Sequence, residues 1–582
     1  MSEETTRSDS ALWRSLWPFL ARDKALYAVA LLLAPATALM VIVQPWLLQH
    51  VIDTAIIPGD LDGVRRGALL FLGTIVAGFV FQVGHTLALS YAAMRTITHV
   101  RHAVYTHTIT RAQRFFDVQP TGRLLTRATN DVETLGETLT AGAITIVLDA
   151  LQVTGVLVAM FLLDARLTLV LLLVAPVLGV VIESLRRVLR GLYTEIRTSL
   201  AELNAYLSER LDGVQIVQLY RDEERTLQGF DERLDRYRDA TVRTNVYDAL
   251  VYATVDGLSS VTLALMLWYG SGGLLEGTVT AGVLAAFIDY VAKLFRPIQE
   301  FSAKIAIIQR AMAALSKIFG LLDVDEAIAS GEAELPTPRG EVALQGVQFA
   351  YGDGPKVLHG IDLHVAPGEV VALVGRTGSG KTTIGKLLTR AYEGFSGSIT
   401  LDGHALADLS VASVRRAVGS VHQDVQLFPG TVRFNLTLGH PVDDDRVREA
   451  VRLARAEQVV ERLGGLDGTI EEAGRNVSAG EAQLLSFART LVYDPAVVIL
   501  DEATASVDSL TEARIQEATE AILRRKTTLV IAHRLSTIVG ADRIAVLDKG
   551  RLVELGSHAE LLARGGMYAR LFEEQFVEGA SA

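Results

Sequence analysis

The chain has 582 residues, half of them hydrophobic, with a mean hydropathy of +0.31. That length implies several domains, and that apolarity points to a membrane protein. A net charge of −12 argues against non-specific binding of nucleic acid, and the absence of cysteine excludes disulfides and thiol chemistry.

In chain order, residues 1–25 begin polar and lack the basic region and cleavage pattern of a signal peptide. Leu12–Leu20 then mixes aromatic and charged residues, with two tryptophans suited to a membrane interface. Residues 26–325 carry six apolar segments, Leu26–Val51, Gly67–Tyr91, Ala141–Leu163, Leu167–Val188, Leu250–Tyr269 and Thr280–Phe295. Most are long enough to cross the ~30 Å hydrocarbon core, and the shorter last one continues as a less apolar helix past Pro297. Arg14, Arg22 and Lys24 precede the first segment. Arg95, Arg101, Arg111, Arg114, Arg123 and Arg127 lie between the second and third, and Arg186 to Arg243 supply many more between the fourth and fifth. The positive-inside tendency places the N-terminus and both long loops in the cytoplasm. Those loops read as helices, so spans two to five extend well beyond the bilayer.

Ionisable residues in or near the spans are the default clue to a transported molecule. Here they are Asp149, Asp256 and Asp289, with Gln82 and His85 in the second span. A cavity lined by Asp256 or Asp289 would favour cationic amphiphiles. The alternative is structural: Asp289 pairs with Lys293 one turn on, Asp149 sits near an extracellular or interior packing site, and His85 is a satisfied polar group. Residues 326–340, with Pro336 and Pro338, break the helical pattern and read as a linker, and 341–582 alternates strand and helix signals as a soluble α/β domain.

In that last region a buried-strand pattern, Val370–Val374, runs into Gly375-Arg-Thr-Gly-Ser-Gly-Lys-Thr382, and a helical pattern follows from Thr383. Strand, glycine-rich loop and helix form the context a phosphate-binding loop requires. The glycines let backbone N–H groups cradle phosphate oxygens at the positive end of the next helix. Gly375, Thr377, Gly378, Ser379, Gly380, Lys381, Thr382 and Thr383 are the expected nucleotide-binding set. Lys381 would reach the β- and γ-phosphates, and the Thr382 hydroxyl would ligate Mg²⁺. Downstream, the apolar strand Ala496–Leu500 ends in Asp501-Glu502. Asp501 suits an Mg²⁺ contact through water, and Glu502 is placed to polarise the attacking water as general base.

Asp501-Glu-Ala-Thr-Ala-Ser-Val-Asp508 resembles the Walker B motif and D-loop of ABC transporter ATPase domains, and other family motifs appear in order. Tyr351 in Phe349-Ala-Tyr-Gly resembles the aromatic that stacks on adenine. Gln423 in Val421-His-Gln-Asp resembles the Q-loop glutamine, which touches Mg²⁺ and the attacking water and faces the membrane domain. Asn476-Val-Ser-Ala-Gly-Glu481 stands at the signature position, and His533 in Ile531-Ala-His-Arg resembles the switch histidine on the γ-phosphate. Leu12–Leu20 is similar to the family's elbow helix, and Phe115–Leu124 and Gln218–Arg225 are similar to its two coupling regions. The resemblance covers nearly the whole chain. It implies a polytopic α-helical membrane domain, with six transmembrane helices and long cytoplasmic extensions, fused to an α/β P-loop ABC ATPase domain. ATP and Mg²⁺ are the implied cofactors. The implied role is export of amphipathic small molecules, drugs or lipids, from a multi-pass position in the bacterial cytoplasmic membrane, with the ATPase domain inside.

The signature departs from the family's Leu-Ser-Gly-Gly-Gln. Ser478 and Gly480 are kept, but Glu481 replaces a neutral amide and is expected to weaken the contact with a triphosphate by like-charge repulsion. In the family, each ATP lies between the phosphate loop of one domain and the signature loop of the other. An intact Glu502 with an altered signature is the complementary half of an asymmetric pair. The expected partner is therefore a second, different half-transporter lacking the catalytic glutamate, and a homodimer tolerating the variant signature is the alternative. Other readings on the same chassis are a flippase for lipids or lipid-linked glycans and an importer, for which no extra substrate-handling domain is seen. A soluble ATP-switched clamp of the DNA-repair type conflicts with the six spans.

Overall fold

The computed structural model describes residues 8–501, 509–531 and 535–574. It divides into two compact units: 1–109 with 121–324, and 110–120 with 325–582.

Among the described residues the first unit has helices and no strands. Its helices are α1 (Asp9–Leu20), α2 (Lys24–Val51), α3 (Leu61–Ile109), then, beyond the short α4 (Gln113–Val118) that belongs to the second unit, α5 (Thr121–Thr126), α6 (Val132–Ala141), α7 (Ala143–Leu163), α8 (Ala165–Asp212), α9 (Val214–Leu219), α10 (Glu223–Leu275) and α11 (Ala281–Leu322). Among the described residues six helical segments are long and apolar enough to cross a membrane. The last expected span lies inside α11, a single helix of 42 residues that runs through Pro297. The apolar surface is turned outward: Leu32, Leu162 and Leu173 are 76%, 81% and 76% exposed. Such exposure suits a surface whose solvent is lipid, where the helix satisfies its own backbone. Inside, Tyr290, Phe287, Met160, Leu167 and Met266 are fully buried in one cluster.

Several of the polar groups in or near the spans have partners within the chain. Asp289 meets Lys293 at 3.0 Å, and Lys293 also donates to the Val41 carbonyl at 3.1 Å. Asp149 meets Lys304 at 2.5 Å, with Glu300 on the same ammonium at 3.2 Å. His85 is buried and donates from Nδ1 to the Ala30 carbonyl at 2.8 Å. The structural alternatives for Asp289, Asp149 and His85 therefore hold here, while Asp256 is exposed on α10 with no ion pair among the described residues. At the start of α11, Thr280 caps the helix and donates to Asp53 at 2.6 Å, and Asp53 also accepts the Gly282 N–H at 2.9 Å. A Cβ on Gly282 would come within 2.5 Å of the Gln49 carbonyl oxygen, so the close approach requires glycine.

α8 and α10 lie side by side beyond their apolar portions. They are tied by Tyr193–Asp248 at 2.6 Å, Glu195–Arg243 at 2.5 Å, Glu202–Arg236 at 3.3 Å and Tyr206 to the Thr226 carbonyl at 3.0 Å. Arg233 also stacks over the Tyr206 ring, 4.1 Å from its centroid.

Among the described residues the second unit contains twelve strands: β1 (Val342–Ala350), β2 (Lys356–Val365), β3 (Val370–Val374), β4 (Ser396–Leu401), β5 (His404–Ala405), β6 (Val418–Val421), β7 (Gly430–Thr431), β8 (Thr469–Ile470), β9 (Val497–Asp501), β10 (Thr527–Ile531), β11 (Arg543–Asp548) and β12 (Arg551–Gly556). Its helices include α12 (Lys381–Leu388), α13 (Val411–Ala417), α14 (Val432–Thr437), α15 (Asp444–Leu453), α16 (Glu457–Arg462), α17 (Ala479–Val492) and α18 (Ser509–Leu523). The main sheet has the order β12-β11-β3-β10-β9-β6, and all neighbours except the β11–β12 pair are parallel. A second sheet, β2-β1-β4-β5, is antiparallel. β3 shows why the central strands are continuous apolar runs. Val370, Ala372 and Val374 enter one core with the helices α15, α17 and α18, while Val371 and Leu373 enter the other with the antiparallel sheet.

Residues 325–340 run without helix along this unit. Arg390, buried, donates to the carbonyls of Ala329 at 2.6 Å and Leu409 at 2.7 Å, and Ala333 bridges to Leu409.

Candidate functional site

The parallel sheet decides where the predicted residues meet. Because β3, β6, β9 and β10 run the same way, their carboxyl ends lie along one edge of the sheet. The phosphate loop follows β3, Gln423 follows β6, Asp501 ends β9 and the stretch containing His533 follows β10. Ligands of open parallel sheets bind outside such ends. Glu502, Asp508 and His533 lie outside the described residues.

The loop itself is built for close approach. Gly375 cannot carry a side chain, since a Cβ would sit 2.2 Å from the Leu547 carbonyl oxygen. Gly380 has φ 101° and ends the loop as the N-cap of α12, where a Cβ would meet Leu358 at 2.6 Å. Lys381 opens the helix and is buried, with Nζ donating to the carbonyls of Gly375 at 2.7 Å and Arg376 at 3.1 Å. Burial pushes its ammonium below the usual lysine range, and the Asp501 carboxylate partly offsets this. Ser379 is buried, and its Oγ has no hydrogen-bond partner among the described residues. Such an orphan suits a ligand oxygen. Thr377, Gly378 and Thr382 are exposed at the mouth of the loop, and Thr383 is buried behind it. The residues present thus fit a triphosphate.

Tyr351 lies beside this loop, its hydroxyl 3.0 Å from Thr383 Oγ1. It belongs to an aromatic cluster that carried no sequence signal. Phe349 and Tyr392 pack edge-on to its ring, at centroid distances of 4.9 and 5.0 Å, and Lys386 lies over Tyr351 and Tyr392. Tyr392 is buried and donates to Asp117 on α4. That hydrogen bond and burial push the phenol far above its usual range, burial being the larger cause. Two further ties hold the same segment: the Ala112 N–H donates to the Glu326 carbonyl at 2.8 Å, and Arg111 pairs with Asp325 at 3.1 Å.

Ser478, Gly480 and Glu481 stand apart from the phosphate loop. Among the described residues no hydrogen bond joins them to Gly375–Thr383; they form the start of α17. For Glu481 the structure adds partners within the chain. Its carboxylate is not a bare anion: Arg462 holds it at 2.8 and 2.9 Å, and the Ser478 N–H donates to it at 2.8 Å. Burial alone would raise the carboxyl, but the Ser478 backbone and the Arg462 guanidinium outweigh it and hold it below the usual range. The charge of Glu481 is thus paired within the chain. The Ser-x-x-Glu spacing is itself a capping-box signal, which was there to be read in the sequence. Arg462, at the end of α16, carried none.

Two family models match the chain, the ABC transporter transmembrane region over residues 27–298 and the ABC transporter model over 358–505. An "ATP-dependent lipid A-core flippase" of Ralstonia nicotianae is 34% identical over 582 residues, covering 99% of this chain and 98% of that protein. The chain belongs to the ABC transporter family. A "probable multidrug resistance ABC transporter ATP-binding/permease protein", YheH of Bacillus subtilis, is 35% identical, covering 89% of this chain and 77% of that one. Among solved structures, a bacterial Atm1-family ABC exporter with ATP bound superposes with a TM-score of 0.75 at 26% identity, covering 95% of this chain and 98% of that one. The chain is thus an exporter-type ABC half-transporter, a multi-pass membrane protein that binds ATP and couples its hydrolysis to transport.

Proposed function

We propose that this ABC half-transporter exports amphipathic molecules, drugs or lipids, across the bacterial cytoplasmic membrane as one half of a dimer. The observation that carries the reading is the shared strand-end edge. The phosphate loop and Asp501 follow or end parallel strands at that edge, on a chain with six apolar helical segments among its described residues, and this supports the reading. Gly375, Thr377, Gly378, Ser379, Gly380 and Thr383 shape the phosphate cradle, Lys381 neutralises the phosphate oxygens, and Tyr351 takes the adenine face. Thr382, Gln423 and Asp501 would hold Mg²⁺, which, when bound, offsets charge on the triphosphate. Glu502 takes the proton from the attacking water, and His533 and Gln423 orient the γ-phosphate side. Ser478, Gly480, Glu481 and Asp508 belong to the face that meets the ATP of the other half-transporter. The N-terminus and the ATPase unit are cytoplasmic.

Glu502→Gln is expected to leave ATP binding intact, trap the nucleotide and stop turnover; unchanged ATPase activity would remove Glu502 from the role of base. For the partner, an intact Glu502 with Ala479 and Glu481 in the signature fits an unlike half-transporter. The compensation of Glu481 by Arg462 supports a second reading, two copies of this chain. Intact mass of the complex purified with nucleotide separates them: a second polypeptide mass supports the first, twice this chain the second. The relatives carry names of both multidrug and lipid A-core transport. ATPase stimulation by lipid but not by cationic amphiphiles would select the flippase.

A further inference from the structure

Arg462 is the last residue of α16 and lies nineteen positions before Glu481. Its Nε donates to Glu481 Oε1 at 2.9 Å and its Nη2 to Oε2 at 2.8 Å, a two-bond fork between planar groups. The same Nη2 donates to the Asn476 carbonyl at 3.1 Å. Glu481 in turn closes the capping box of α17. Its Oε2 accepts the Ser478 N–H at 2.8 Å, and its own N–H donates to Ser478 Oγ at 3.3 Å. Asn476 is pinned as well, accepting from the Glu471 N–H at 3.0 Å and donating to the Thr469 carbonyl at 2.9 Å. Residues 476–481 are thus held from the α16 side by one arginine.

We propose that Arg462 is a positioning residue of the signature loop. It neutralises Glu481 and clamps that carboxylate in the capping box, so that the Ser478 hydroxyl and the first N–H groups of α17 are presented to a γ-phosphate without a competing negative charge. The inference rests on reading Val477–Glu481 as the signature loop.

The chemistry separates the two parts of the clamp. A capping box needs only an acceptor oxygen at its fourth position, so glutamine serves as well as glutamate. The charge of glutamate, by contrast, faces an incoming triphosphate and must be cancelled. Arg462 is therefore required when residue 481 is glutamate and dispensable when it is glutamine. An arginine that merely buttressed the Asn476 carbonyl would be needed equally in both cases.

The test is a double-mutant cycle on the full-length transporter, purified with whatever partner it carries and reconstituted in nanodiscs. The readouts are kcat and KM for MgATP at low and high salt. Arg462→Gln is expected to raise KM roughly ten-fold and lower kcat, with the KM defect shrinking at high salt as screening replaces the lost counter-charge. Arg462→Gln with Glu481→Gln is expected to recover most of that loss, and Arg462→Lys, which keeps the charge but loses the fork, to fall between. Binding of a fluorescent ATP analogue to the phosphate loop at Lys381 reports that each variant is folded. Equal losses in Arg462→Gln and the double variant overturn the proposal and leave Arg462 a buttress. Failure of the underlying reading looks different: Ser478→Ala then leaves ATPase activity at the wild-type level, whatever residue 462 is.

Discussion

At the residue scale the site is governed by what cannot be added. Gly380 combines φ 101° with a contact that a methyl group would violate at 2.6 Å. Gly380→Ala is therefore expected to abolish ATP binding and to lower the stability of the ATPase unit by about 1–3 kcal/mol, the usual range for strained backbone; fluorescent-nucleotide titration and thermal unfolding check the two parts. A second residue-scale prediction concerns acid. Glu369 accepts from Arg543 and from the Ala366 N–H at 2.8 Å. Burial raises its carboxyl, but these partners outweigh that and hold it below the ordinary carboxylate range. A depressed folded-state pKa means the stabilisation is present above the unfolded-state value and is lost as pH falls through the folded one. Glu369→Gln should then cost stability at neutral pH and progressively less below the usual carboxylate range, as read from melting temperature against pH. Of the site, the phosphate loop, Asp501 and Tyr351 were legible because each motif is contiguous in sequence. Arg462 was not, because an ion pair across nineteen residues and two elements leaves no local pattern, and so Glu481 read as an uncompensated charge.

At the element scale, α4 is the informative piece. It lies in sequence between α3 and α5 of the membrane unit, yet residues 110–120 belong with the ATPase unit, tied by Arg111 and Ala112 just before α4 and by Asp117 within it. The chain Tyr351, Tyr392, Asp117 joins the loop-side aromatic to α4 by one edge-on ring contact and one hydrogen bond. Tyr392→Phe keeps the ring and removes the hydrogen bond. It should leave ATP affinity and basal ATPase within about two-fold, because a single neutral-to-charged hydrogen bond away from the phosphates is lost, and blunt the stimulation of ATPase by transported molecules. Full retention of stimulation would show that α4 is held by its backbone and arginine contacts alone. Sequence could not reveal this link: Asp117 and Tyr392 are 275 positions apart. The helices and strands themselves were legible, since a buried parallel strand and a membrane span each leave an unbroken apolar run. The continuation of α11 past Pro297 was legible too, since an apolar helical pattern resumes beyond the proline.

At the scale of the whole molecule, charge placement predicts orientation, and the absence of cysteine makes the test direct. Single cysteines at Asp60 and Glu276, which lie at short turns between spans, should react with an impermeant maleimide in intact cells. One at Glu223, the first residue of α10, should react only after the cells are opened. The reverse pattern would invert the assignment. The paired helices α8 and α10 carry a further consequence. The 53 residues of α10 span about 80 Å at 1.5 Å per residue, of which a bilayer takes ~30 Å. The remaining ~50 Å, stiffened against bending by the rungs to α8, is a lever arm: a tilt of about 5° at the membrane moves its tip by roughly 4 Å, a gain in travel matched by an equal loss in force.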